Sequence, residues 1–111
     1  MGAVSAETGN LFDAIPDALS EELFEELAKG QGVRIERIVS KGHTSPDEGW
    51  YDQDQHEWVV VIQGEAKLAF SQGGELHLQA GSFINIPAHT KHRVAWTSAE
   101  IETIWLAVHY G

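Results

Sequence analysis

From Val33 onward the chain is a succession of short apolar or alternating runs cut by glycine- and proline-bearing breaks, and this punctuation restricts the folds open to it. Val33 and Ile35 share one face by alternation, with Arg37 on the same parity, and Ile38 and Val39 break the pattern. Trp58 to Ile62 is a continuous apolar run, short enough for a buried strand, and Gly64 closes it. Ala66, Leu68 and Phe70 then alternate with Glu65, Lys67 and Ala69. Gln72-Gly73-Gly74-Glu75 is a hairpin signal, because paired glycines accept the positive φ of a tight turn. Leu76 and Leu78 alternate with His77 and Gln79, Ala80-Gly81 turns again, and Phe83, Ile84 and Ile86 form a short strand stopped by Pro87. Arg93 to Trp96 and Ile101 to His109 complete the series. Strands this short and this closely spaced predict a sandwich or barrel and argue against alternating βαβ units. A chain of 111 residues has room for one such core.

The first thirty residues read differently. Residues 1–10 are small and polar, which predicts a disordered tail. Ser20 followed by Glu21 and Glu22 has the chemistry of a helix start, Leu23, Phe24 and Leu27 recur at helical spacing, and Gly30 and Gly32 terminate the segment. The expectation is one short N-terminal helix within residues 1–30, packed on a barrel formed by residues 31–111.

Composition removes several classes of function. Without cysteine, the chain has no disulfide, no thiolate nucleophile and no sulfur-ligated metal, so any metal is held by nitrogen and oxygen. Asp and Glu number 17 against 7 Lys and Arg, a net charge of −10, which disfavours nucleic acid and anionic membrane surfaces as partners. No apolar run reaches the length of a membrane span, and Met1 to Asn10 has no signal-peptide pattern, so the expected location is the cytoplasm. No serine sits in a nucleophile turn, and no glycine loop suits a nucleotide phosphate.

Two segments carry a family resemblance. The first runs from Gly49 through Trp50-Tyr51-Asp52-Gln53-Asp54-Gln55-His56-Glu57 to Gly64, and the second from Gly81 through Pro87-Ala88-His89-Thr90-Lys91-His92 to Trp96. They resemble the two motifs of the cupins, closest to the small single-domain cupins of prokaryotes. Glu57 with its spacing to Gly64, Gly81 with its spacing to Pro87, and His92 after Pro87 match the family pattern. The family's His-any-His pair falls on Tyr51 and Gln53, or on Trp50 and Asp52 with the longer spacer, and its terminal Asn is Trp96 here.

The resemblance implies an all-β, jelly-roll barrel (a double-stranded β-helix) with one divalent metal, zinc, manganese, nickel or iron(II), and a homodimer. His92, Glu57, Gln53 and Tyr51 are the implied ligands, with Asp52, His56 or His89 as replacements for Tyr51 or Gln53. If Glu57 points inward, Tyr51, Gln53 and Gln55 share its parity, as do Val59 and Val61, while His56 faces out. Glu57 is also the candidate catalytic base. Trp50, Trp96 and His43 are candidate substrate-lining residues near the mouth. His77 and His89 read as surface residues, His109 as structural, and Trp58 and Trp105 as core or interface. Asp52 and Asp54 lack the glycine and distal Glu of a calcium loop. Three readings stay open: a metal-dependent protein acting on a small organic molecule, a non-catalytic module, with or without a metal, that binds or senses one, and a metal-free barrel with a structural role as a dimer.

Overall fold

A computed structural model describes residues 6–46 and 49–111. Residues 1–5 of the expected tail, and Asp47 and Glu48, lie outside the described residues. The described chain is all β, with no helix. Its eight strands are β1 (Leu23–Gly30), β2 (Val33–Ser40), β3 (His56–Gln63), β4 (Glu65–Phe70), β5 (Glu75–Gln79), β6 (Phe83–Ile86), β7 (His92–Thr97) and β8 (Thr103–Tyr110). They form a five-stranded sheet, β1-β2-β8-β3-β6, and a three-stranded sheet, β5-β4-β7, with every pairing antiparallel. No helix among the described residues is long and apolar enough to cross a membrane.

The N-terminal helix is the one element the structure overturns. Leu23–Gly30 is a strand, joined to β2 by a tight turn in which Gly32 has φ 73°. Pairing along most of β2 outweighs a weak local propensity, as tertiary context routinely does. The spacing of Phe24 and Leu27 has another cause here. The register slips between Glu26 and Ala28, so Leu27 is the extra residue of a bulge, and one period-2 pattern is broken into what reads as period 3. Glu22 accepts a hydrogen bond from Ser40 Oγ instead of facing helix amides.

The core lies between the sheets and is built from alternate residues of β3, β4, β5, β6 and β8, with Ile38 of β2 and Val94 of β7 packed against it. Val59, Val61, Ala66, Leu68, Leu78, Ile86, Trp105 and Ala107 form one buried cluster. Gly64, at the β3–β4 turn, is fixed by space as well as by angle. Its φ is 93°, and an added Cβ would lie 2.5 Å from Thr103 Oγ1 and 2.6 Å from Thr103 Cα. On the other side of β2, buried Arg37 ties down the segment before β1. Its guanidinium donates to the carboxylate of Glu25 and to the carbonyls of Leu11 (3.0 Å) and Asp13 (2.6 Å).

Candidate functional site

Parity along the strands sends a polar set into the space between the sheets, alongside the apolar cluster. From β3 come Glu57 and Val59, from β7 His92 and Val94, from β8 Trp105 and His109, and from β2 Arg34, Glu36 and Ile38. With Tyr51 and Gln53 from the preceding loop, they line a half-open cavity of about 640 Å³.

Glu57 and His92 meet there, although 35 positions separate them in sequence and they belong to different sheets. His92 Nε2 lies 3.7 Å from Glu57 Oε1, and both side chains are nearly buried, at 6% and 12% exposure. At that distance the contact is an ion pair rather than a hydrogen bond. The His92 ring is oriented from behind, where Nδ1 donates to the carbonyl of Thr90 at 2.8 Å. That fixes Nε2 as the nitrogen facing Glu57. Gln53 Nε2 donates to Glu57 Oε1 at 3.0 Å. Tyr51 is held beside them by two backbone hydrogen bonds with His92, and its ring centroid lies 5.7 Å from that of His92.

The charges reinforce one another. Burial pushes the Glu57 carboxyl up, but His92, the His109 charge and the Gln53 hydrogen bond outweigh it and leave Glu57 below its ordinary value. Burial pushes His92 down, but Glu57 and the Thr90 carbonyl prevail and leave the imidazole above its ordinary value. The pair therefore favours a carboxylate beside an imidazolium.

A second pair lies in the same cavity. His109 is buried, and its Nε2 sits 2.9 Å from Glu36 Oε1. Arg34 on β2 opposes His109 on β8, and His109 opposes Glu57 on β3, so the three occupy one cross-strand row. Sequence reading placed His109 outside the site and did not single out Glu36. The parity of Trp105, read as core, already carries through Ala107 to His109, and that was the available signal.

The remaining candidates fall elsewhere. Trp50, Trp96 and His43, expected near the mouth, are not among the residues that line this cavity. In β7 Ala95 is the unpaired residue of a bulge, since Lys67 pairs with Trp96 and Leu68 with Val94. The bulge sends Trp96 to the outer face, under the ammonium of Lys67. Trp50 stacks under the guanidinium of Arg93, 5.1 Å from ring centroid to Cζ. His43 Nδ1 accepts the Lys41 N–H. His89 is exposed with φ 62°, and its Nδ1 pairs with Asp52 Oδ1 at 2.8 Å. His56 is half-buried, accepts the Ala88 N–H and packs on Tyr110.

The implied metal can be tested against these donors. Among the described residues no three His, Asp or Glu side chains converge on one point. Glu57 and His92 are firm donors, but Gln53 turns an N–H toward Glu57, and Tyr51 offers only a phenol oxygen. This set does not fit a transition ion held by three or more nitrogen and oxygen ligands.

Comparison with known proteins agrees with the architecture. The family described as Cupin domain matches residues 34–109. A structure from Ralstonia eutropha JMP134, whose name carries a provisional mannose-6-phosphate isomerase assignment, is 40% identical over 95% of this chain and 98% of that one, with a TM-score of 0.91. An RmlC-like cupin from Desulfovibrio desulfuricans is 16% identical over 95% of this chain and 96% of that one, with a TM-score of 0.75. An RmlC-like cupin from Methanocaldococcus jannaschii, with a double-stranded β-helix fold, is 16% identical over 87% and 86%, with a TM-score of 0.67. At that identity the last two speak for the fold alone. No curated protein matches the chain.

Proposed function

We propose, from the premise that this chain belongs to the cupin family, that its cavity takes a small hydroxy-carbonyl compound of the sugar class and that Glu57 and His92 move a proton on it. The observation that carries this reading is the near-buried Glu57–His92 pair, 3.7 Å apart, inside a cavity open to solvent. A carboxylate held ionised and an imidazole held protonated are the base and acid that enolisation requires.

In this reading Glu57 removes the carbon-bound proton next to the carbonyl, and His92 Nε2–H donates to the carbonyl oxygen. The electron pair of the broken C–H bond forms the C=C of an enediol. His92 Nε2, left neutral, then takes the hydroxyl proton of that first carbon as its C=O forms, and the C=C electron pair takes the proton from Glu57 at the neighbouring carbon. This converts an aldose to a ketose, restores both groups, and needs no external oxidant or reductant. Gln53 keeps the Glu57 carboxylate oriented. Val59, Leu68, Ile86 and Trp105 supply an apolar wall for the ligand's C–H face. The name borne by the Ralstonia relative supports the same class of chemistry. No step runs through a metal, because the donor set does not fit one.

The test is proton exchange. Incubation with mannose 6-phosphate or mannose in deuterium oxide, after exhaustive chelation, is expected to give deuterium at C2 and the ketose product. Glu57→Gln is expected to abolish both. Exchange that survives Glu57→Gln, or that disappears on chelation and returns with metal, would overturn the reading.

A further inference from the structure

We infer that Arg34 anchors a terminal oxyanion, a phosphate or a carboxylate, at the far end of the ligand whose carbonyl end meets Glu57 and His92. This rests on the proposed function and narrows its ligand class. Cations are scarce in this chain, 7 Lys and Arg against 17 Asp and Glu. The other arginine of β2, Arg37, faces the opposite side and is engaged by Glu25 and two carbonyls. Arg34 lines the cavity, and no hydrogen bond or ion pair engages its guanidinium among the described residues.

The register fixes its reach. Lys29, Arg34, His109 and Glu57 occupy one row across β1, β2, β8 and β3. Two strand spacings of about 4.8 Å put Arg34 about 10 Å from Glu57, backbone to backbone. With both side chains reaching into the cavity, the remaining gap suits a hexose-sized molecule.

Lys29 and Arg34 are direct neighbours across the β1–β2 ladder and share a face. Like charges so placed repel each other. An oxyanion between them removes that repulsion, and a guanidinium can grip it with two parallel hydrogen bonds. The next row on the same face of the hairpin holds Glu26 opposite Glu36. Glu36 is matched by His109, so Glu26 is the carboxylate that opposes an anion here and offers a control of the reverse sign.

Titration calorimetry on the full chain with mannose, mannose 6-phosphate and mannuronate tests the anchor, and the two acids separate phosphate from carboxylate. At least one acid is expected to bind about tenfold tighter than mannose, the gain from one charge-assisted contact. Arg34→Gln is expected to reduce that preference to within about twofold, and Arg34→Lys to keep part of it. Glu26→Gln is expected to widen the preference for the phosphate about fivefold, the effect of one charge on a dianion about 8 Å away at the dielectric of water. A preference that survives Arg34→Gln, or an equal loss for all three ligands, overturns the anchor. Mannose binding by the wild type with no preference for either acid refutes the anchor alone. Failure to bind any of the three refutes the Glu57–His92 reading with it.

Discussion

Gly64 and Gly81 have nearly the same backbone angle, φ 93° and 91°, in different surroundings, so replacing each with alanine separates strain from crowding. At Gly81 nothing lies within 4 Å of an added Cβ. The cost there is that of an L-residue at positive φ, about 1–2 kcal/mol. At Gly64 the same strain applies, and the Cβ also meets Thr103 Oγ1 at 2.5 Å, Thr103 Cα at 2.6 Å and the Glu102 carbonyl at 2.9 Å. Two of those atoms are backbone, and Thr103 is fully buried, its Oγ1 accepting the Glu65 N–H and donating to the Glu65 carbonyl. They cannot swing away, so overpacking adds about 1–3 kcal/mol. Gly64→Ala is therefore expected to lose about 2–5 kcal/mol and Gly81→Ala about 1–2 kcal/mol. For a domain of this size that is a drop in Tm of roughly 8–20 °C against roughly 4–8 °C. Urea unfolding of both variants, with unchanged m-values, measures the difference. Equal destabilisation would refute the claim that the β8 backbone, rather than the turn angle alone, demands glycine at position 64.

Three further outcomes follow from the same geometry. His92 is raised, so its contribution to stability is full below its unfolded value and is lost as pH climbs through the folded one. Glu57 is lowered, so its contribution is full above its unfolded value and is lost as pH falls through the folded one. The pair should stabilise most between about pH 4.5 and 6.5, and Glu57→Gln should flatten that maximum in urea titrations run from acid to alkaline pH. Arg37→Met should cost about 2–3 kcal/mol, the scale of hydrogen bonds to a charged group, and should speed proteolysis between Leu11 and Glu22, because the guanidinium holds Leu11 and Asp13. Restoring histidine at the two positions of the family pair, Tyr51→His with Gln53→His, should create a three-histidine, one-carboxylate set. Elemental analysis after dialysis against zinc should then approach one ion per chain, well above the wild type, and no gain would count against the donor-set argument.

The barrel strands were legible because their signals are local. Alternation, the Gly73-Gly74 turn and Pro87 each act within a few residues, and β3 to β8 fall where they point. The meeting of Glu57 and His92 was legible through the motif spacing. What local pattern could not carry was register. A bulge at Leu27 gave β1 the look of a helix, and a bulge at Ala95 turned Trp96 from the cavity to the outer face. The Glu36–His109 pair depends on how β2 lies against β8, a relation between residues 73 positions apart. No window of sequence contains it.

These departures share a consequence for the chemistry. A metal inside a barrel balances the charge of its carboxylate ligand, so a site that loses ligands must balance that charge in another way or protonate the acid. Here Tyr51 and Gln53 stand where the family's histidine pair falls, and they bring neutral groups. Gln53 answers with an N–H toward Glu57, and His92 with a proton held by the carboxylate itself. His109, in register with Glu57, adds a second imidazole, whose own partner is Glu36. These partners favour the ionised carboxylate in a nearly buried position. The imidazolium that neutralises it is also a proton donor aimed at the same space, so the substitutions that weaken a metal centre assemble an acid–base pair.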